Sequence, residues 1–213
     1  WQGDVRILIA IVKYVEDRWN VESDTKLVGV QSIILLEDSV RYYSSFLPMI
    51  YAELMNHTHS LISEGLNLSQ KLLRMRARPK ILHARSYEEA RALFRQFRSY
   101  VFGVIADTRL PREHRLDGEA GMKLLTRFRE EFSDLPLLLL GADPSQRERA
   151  EQIPAVFLDK NAPELLSEIH AFFLNHLGFG DFVMRLPDGN EVGRASDLRT
   201  LEHLVDQIPE ASL

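Results

Sequence analysis

The spacing of apolar and polar positions changes period several times along the chain, and each change marks an element. In residues 5–19, Val5, Leu8, Val12, Val15 and Trp19 recur at helical spacing, with Arg6, Lys13, Glu16 and Asp17 largely on other faces. This predicts an opening amphipathic helix. Residues 20–30 turn polar and end in Leu27-Val-Gly-Val30, which reads as a linker. Ser32-Ile-Ile-Leu-Leu36 is short, β-branched and apolar on both faces, as expected of a buried strand in a parallel sheet. A helical stretch over residues 40–55, a polar break at 56–59 and a second helical pattern through Leu61, Leu68, Leu72, Leu73 and Met75 follow.

From Pro79 onward strands and helices alternate. Lys80-Ile-Leu-His83, Val101-Phe-Gly-Val-Ile-Ala106, Leu135-Pro-Leu-Leu-Leu-Leu140 and Ala155-Val-Phe-Leu158 read as strands, with helices predicted over 87–98, 121–132, 144–152 and 163–177. A charged loop is expected at 112–120. Five apolar strands alternating with helices define an α/β fold with an open, doubly wound parallel sheet. The tail changes character. Phe182-Val-Met-Arg-Leu, a turn at Pro187-Asp-Gly-Asn190 and Glu191-Val-Gly-Arg predict a hairpin, and Asp197 caps a helix through Leu198, Leu201, Leu204, Val205 and Ile208.

Composition narrows the function classes. A formal net charge of -5, with arginines scattered among acids, argues against nucleic acid as a direct partner. The absence of cysteine excludes disulfides, thiolate metal sites and cysteine nucleophiles, and is compatible with a reducing cytoplasm. No apolar run reaches the roughly 20 residues needed to span a bilayer, so no membrane role is expected. The start at Trp1, with a helix pattern almost at once, reads as a piece of something longer. The histidines show no compact metal spacing beyond His57 and His59, which read as a solvated helix end, and Arg74-Met-Arg-Ala-Arg78 reads as a solvated basic face.

In such a sheet, ligands gather beyond the carboxyl ends of the strands. The residues found there are Glu37 and Asp38, then Asp107, then Gly141, then Lys160. Three carboxylates and an ammonium on one rim suit Mg²⁺-assisted phosphoryl transfer: a hard cation takes carboxylate oxygens, one carboxylate attacks phosphorus, and a lysine offsets charge on the phosphoryl oxygens.

Four stretches together carry a family resemblance: Leu35-Leu-Glu-Asp-Ser39, Asp107-Thr-Arg-Leu-Pro111 with Gly121-Met-Lys-Leu-Leu125, Asp134-Leu-Pro-Leu-Leu-Leu-Leu-Gly-Ala142, and Phe157-Leu-Asp-Lys160. They resemble, in order and spacing, the landmarks of response-regulator receiver domains. The resemblance implies a flavodoxin-like sheet of order 2-1-3-4-5, with an extra N-terminal helix and a hairpin-helix tail. It implies that Asp107 accepts phosphate from a histidine kinase or phosphotransfer protein. Glu37, Asp38, Asp107 and the backbone carbonyl of Arg109 would bind Mg²⁺, Lys160 would contact the phosphoryl group, and Phe157 would stand at the aromatic switch position. Such a module is regulatory, not an enzyme; it sits in the cytoplasm and acts on a downstream effector domain.

Three departures stand beside it. Gly141 replaces the usual Ser or Thr, Lys160 is followed by Asn161 in place of Pro, and the 112–120 loop is long. They leave open a second reading, a degenerate pseudo-receiver serving as an interaction or dimerisation module, with a homodimer formed through Leu8 and Val12. The expected organisation is 1–30, an N-terminal helix and linker; 31–178, the receiver-like domain with a helical insertion near 56–78; and 179–213, a hairpin-helix connector. Trp1-Gln-Gly-Asp4 with the opening helix resembles the end of a preceding receiver-like domain. The arrangement as a whole, including Arg41-Tyr-Tyr-Ser-Ser-Phe-Leu-Pro48 and Gly178-Phe-Gly-Asp-Phe182, resembles the region ahead of domains related to phosphoenolpyruvate synthase and pyruvate phosphate dikinase.

Overall fold

In the computed structural model of the chain, residues 6–63, 78–177, 182–185, 191–195 and 203 are described. Helix α1 (Arg6–Val28) precedes strand β1 (Ser32–Leu36), helix α2 (Val40–Ser63), β2 (Lys80–Ala84), α3 (Tyr87–Gln96) and β3 (Val101–Asp107). A short hairpin, β4 (Leu110–Arg112) and β5 (Arg115–Asp117), leads to α4 (Ala120–Glu131) and β6 (Leu137–Gly141). A 3₁₀ turn at Pro144–Gln146, α5 (Arg147–Glu151), β7 (Val156–Asp159) and α6 (Leu165–His176) follow, then β8 (Phe182–Arg185) and β9 (Glu191–Ala195).

Five parallel strands form one sheet in the order β2-β1-β3-β6-β7. In strand-only numbering this is the 2-1-3-4-5 order of a flavodoxin-like receiver sheet. The continuous apolar runs are its cause: every residue of β1 and of β6 is buried, which requires helices over both faces of the sheet. Ile34, Leu36, Val104, Ala106, Leu137 and Leu139 share a core with Phe94 of α3 and Phe128 of α4. Their alternates along the strands, Ile33, Leu35, Ile105, Leu138 and Leu140, point to the opposite face and are equally buried. The chain divides into two compact units, Trp1–Ile169 and His170–Leu213. Within the second, β8 and β9 pair antiparallel as the predicted hairpin. The turn at 187–190 and, His203 apart, the predicted helix at 197–208 lie outside the described residues, as do Trp1–Asp4 and residues 64–77 of the predicted insertion.

Three expectations about the elements need correction. The stretch expected to be a linker is helical: α1 runs to Val28 and stops at Gly29, whose φ of 72° is one that glycine adopts without a Cβ penalty. As expected, the apolar stripe of that helix is exposed at Leu8, Val12 and Trp19, while Ala10, Asp17, Val21 and Thr25 turn inward. The polar break at 56–59 does not interrupt α2, since local propensity yields to a helix already propagating. The 112–120 loop contains the β4–β5 hairpin, closed by Glu113 and His114 at φ 51° and 61°. Both central residues at positive φ match the twist of a two-residue hairpin, a geometry normally signalled by Asn-Gly and so not legible from Glu-His.

Among the residues that α1 turns inward, Asp17 is a buried carboxylate. Its carboxylate accepts from the Tyr51 hydroxyl (2.9 Å), from both terminal nitrogens of Arg78 (3.0 and 2.6 Å) and from the backbone N–H of Ile81 (2.9 Å). Lys80 Nζ lies 2.7 Å from Asp24 and 3.7 Å from Asp17. Arg78 is therefore no solvated basic residue but a buried partner. Burial pulls its pKa down, yet the Asp17 hydrogen bonds and charge outweigh this and hold it above the ordinary value. The network joins α1, α2 and edge strand β2.

Candidate phosphoryl-transfer site

Sheet register assembles the rim. Leu36 pairs with Ala106, so Glu37, next along the chain, emerges beside Asp107. Asp107 pairs with Leu140, and Gly141 with Asp159, so Lys160 arrives from the far side. The Lys160 N–H donates to the Gly141 carbonyl (2.8 Å), which fixes that loop without a proline after the lysine. The chain has no cis peptide bond among the described residues.

Lys160 Nζ lies 2.5 Å from Glu37 Oε2 and 2.7 Å from Asp107 Oδ2, bridging two buried carboxylates. The Tyr42 ring sits 4.1 Å from the ammonium and covers it. Glu37 Oε1 accepts from the Ser39 N–H (3.0 Å), and the Glu37 carbonyl meets His83 Nε2 at 2.7 Å. Burial raises the pKa of Glu37, the Asp107 charge adds to the rise, and Lys160 opposes both without reversing them. Burial likewise lowers the pKa of His83, against its hydrogen bond to Glu37.

Glu37, the half-buried Asp38 and Asp107 each offer a carboxylate oxygen within 4.8 Å of the others. Octahedral Mg²⁺ holds oxygens at about 2.0–2.1 Å, so opposed ligands are about 4 Å apart. The donor set, all hard oxygen and already nearly at that span, fits the ion. Arg109 adjoins the cluster through its backbone, its N–H lying 3.4 Å from Asp107 Oδ1, with its side chain exposed. The sequence-derived residues Glu37, Asp38, Asp107 and Lys160 are thus brought together.

Gly141 and Phe157 meet at the other edge of the site. A Cβ on Gly141 would lie 2.7 Å from Phe157 Cε2, 3.0 Å from Thr108 Cγ2 and 3.1 Å from Gln146 Oε1. The Phe157 ring is already turned inward, 3% exposed, with the Arg147 guanidinium 5.2 Å over it. Gly121 is demanded by a different contact, since a Cβ there would fall 1.9 Å from the Asp107 carbonyl oxygen. Sequence reading missed Thr108, whose hydroxyl donates to Asp107 Oδ1 over a long 3.4 Å, as well as Tyr42 and Gln146. For Thr108 the signal was a hydroxyl residue directly after the strand-end Asp.

No family profile matches this sequence, and no curated protein matches it either. Solved structures do. The response regulator receiver domain protein from Clostridium thermocellum superposes with a TM-score of 0.50 at 14% identity, over 70% of this chain and 95% of that one. The non-phosphorylated HemR receiver domain from Leptospira biflexa gives 0.40 at 23% identity, over 67% and 90%. The response regulator TrrA from Thermotoga maritima, solved with Mg²⁺ and BeF, gives 0.37 at 19%, over 67% and 99%. With its sheet order and its likeness to the first of these, the chain has the fold of response-regulator receiver domains. No described helix is long and apolar enough to cross a membrane.

Proposed function

We propose that the chain is the receiver module of a two-component phosphorelay, occupying residues 31–178 between adjoining segments 1–30 and 179–213, in the cytoplasm. The observation that carries this reading is the Lys160 ammonium held between Glu37 and Asp107, with Asp38 in reach. A histidine kinase or phosphotransfer protein presents a phosphohistidine. An Asp107 carboxylate oxygen forms the new O–P bond as the P–N bond breaks, and the imidazole leaves with the electron pair. Lys160 sets its positive charge against the phosphoryl oxygens, and buried Glu37 holds Lys160 in position. Mg²⁺, held by Glu37, Asp38, Asp107 and the Arg109 carbonyl, would neutralise charge on the transferring group. The protein is a substrate and switch for other proteins, its output passing to an effector domain, not an enzyme with turnover of its own. Incubation with a small phosphodonor and Mg²⁺ tests this: a phosphate-sized mass gain, absent in Asp107→Asn, is expected, and no gain in the unaltered chain overturns it.

One observation favours the second reading, an interaction module. The exposed face of α1 places Leu8, Ile11, Val12 and Trp19 in one apolar strip, with Trp19 80% exposed. Contiguous apolar surface of this kind marks contact sites. A homodimer through this strip is compatible with phosphorylation and also with a domain that has lost it. The phosphodonor experiment separates the two.

A further inference from the structure

The corner of the site where the receiver pattern expects a hydroxyl holds one all the same, arriving from a different residue. Resting on the reading of Asp107 as the phosphate acceptor, we propose that the Thr108 hydroxyl contacts the phosphoryl group on Asp107, supplying the donation that Gly141 cannot.

The geometry of Thr108 leaves its side chain little choice. Its N–H donates to the Leu140 carbonyl at 2.9 Å, and its own carbonyl accepts from the Gly121 N–H at 3.0 Å, so strand and helix pin its backbone from two sides. The residue is 6% exposed. Its methyl stands 3.0 Å from where a Cβ of residue 141 would lie, and its hydroxyl is directed at Asp107 Oδ1. One threonine side chain therefore fills the space that a side chain at 141 would otherwise enter, and the absence of a Cβ at Gly141 is what admits it.

A second polar group waits at the same corner. Gln146 Oε1 is buried, has no hydrogen-bond partner among the described residues, and lies 3.1 Å from the same Cβ position. A buried polar atom without a partner is costly and calls for a reason. Oxygen and nitrogen of an amide exchange places by a half-turn. Turned over, Gln146 offers an N–H beside Thr108 to a phosphoryl oxygen. When Asp107 gains its O–P bond, the new oxygens are stronger acceptors than the carboxylate oxygen now 3.4 Å from the hydroxyl. The long contact then becomes a charge-assisted hydrogen bond.

The test compares the full chain with Thr108→Val, which keeps the shape and removes the hydroxyl, and Thr108→Ser, which keeps the hydroxyl. Phosphorylation by a small acyl phosphate with Mg²⁺, and half-saturation by beryllium fluoride with Mg²⁺, are measured on each. Thr108→Val should lower phosphorylation rate and fluoride-complex affinity by about tenfold or more, the usual effect of one hydrogen bond to a charged acceptor. Thr108→Ser should stay near the unaltered chain, and all three should melt alike in chelator. Equal behaviour of Thr108→Val and the unaltered chain, both phosphorylated on Asp107, overturns this inference and leaves the phosphate-acceptor reading standing. No phosphorylation of the unaltered chain overturns both.

Discussion

Glu37 sits between opposed electrostatic influences, Asp107 on one side and Lys160 on the other. It is fully buried beside Asp107, and its pKa is raised by burial and by that neighbour despite Lys160. A folded-state pKa above the unfolded one means that the native chain binds the proton more tightly. Stability from this group is therefore full below the unfolded pKa and declines as pH rises through the folded one. A bound Mg²⁺ needs the ionised form, so its stabilisation should grow over the same range. The shift in melting temperature on adding Mg²⁺ should be larger at pH 7 than at pH 5, and Glu37→Gln should abolish this difference while melting no lower in chelator than Glu37→Ala. Gly141 makes a different prediction. A serine there meets Phe157 and Thr108, so Gly141→Ser should lose about 1–3 kcal/mol in urea unfolding, as overpacked sites do. Adding Phe157→Leu should recover part of the loss, because the two positions are in contact. Glu37, Asp38, Asp107 and Lys160 were legible because each follows a strand whose apolar run announces its end. Thr108 was legible only as a hydroxyl following Asp107, and Gln146 was not, since its place beside the missing Cβ of Gly141 is set by the fold and by no pattern along the chain.

At the scale of elements, α1 shows how a helical period reveals the outer stripe of a helix and not what its inner side holds. The spacing of Leu8, Val12, Val15 and Trp19 predicts a helix whose apolar stripe is open for docking, and the helix forms with that stripe at the surface; what the spacing does not show is Asp17 on the inner side, satisfied by Tyr51, Arg78 and Ile81. Three of those partners come from distant parts of the chain, so nothing near residue 17 signals them. Asp17→Ala would leave Arg78 buried without its closest counter-charge, and removing one partner of a buried pair costs about 3–5 kcal/mol. Equilibrium urea denaturation should show a loss of that size. The five core strands, by contrast, were placed to within a few residues from sequence, because strands buried on both faces must be apolar throughout.

For the whole molecule, the receiver fold and the exposed α1 strip make separate claims about assembly and signalling. If the strip pairs two copies, Val12→Glu should shift the chain towards monomer in sedimentation equilibrium without altering its circular dichroism. A monomeric unaltered chain at every accessible concentration would speak against the homodimer. Signalling through this fold rests on Asp107, and locating the phosphate tests it. The chain is phosphorylated by a small phosphodonor with Mg²⁺, digested, and its phosphopeptides mapped before and after hydroxylamine, which cleaves acyl phosphates. A hydroxylamine-labile phosphate is expected on the peptide holding Asp107, lost in chelator and sharply reduced in Lys160→Ala; phosphate found elsewhere, stable to hydroxylamine, or absent altogether would contradict the role of Asp107 as acceptor.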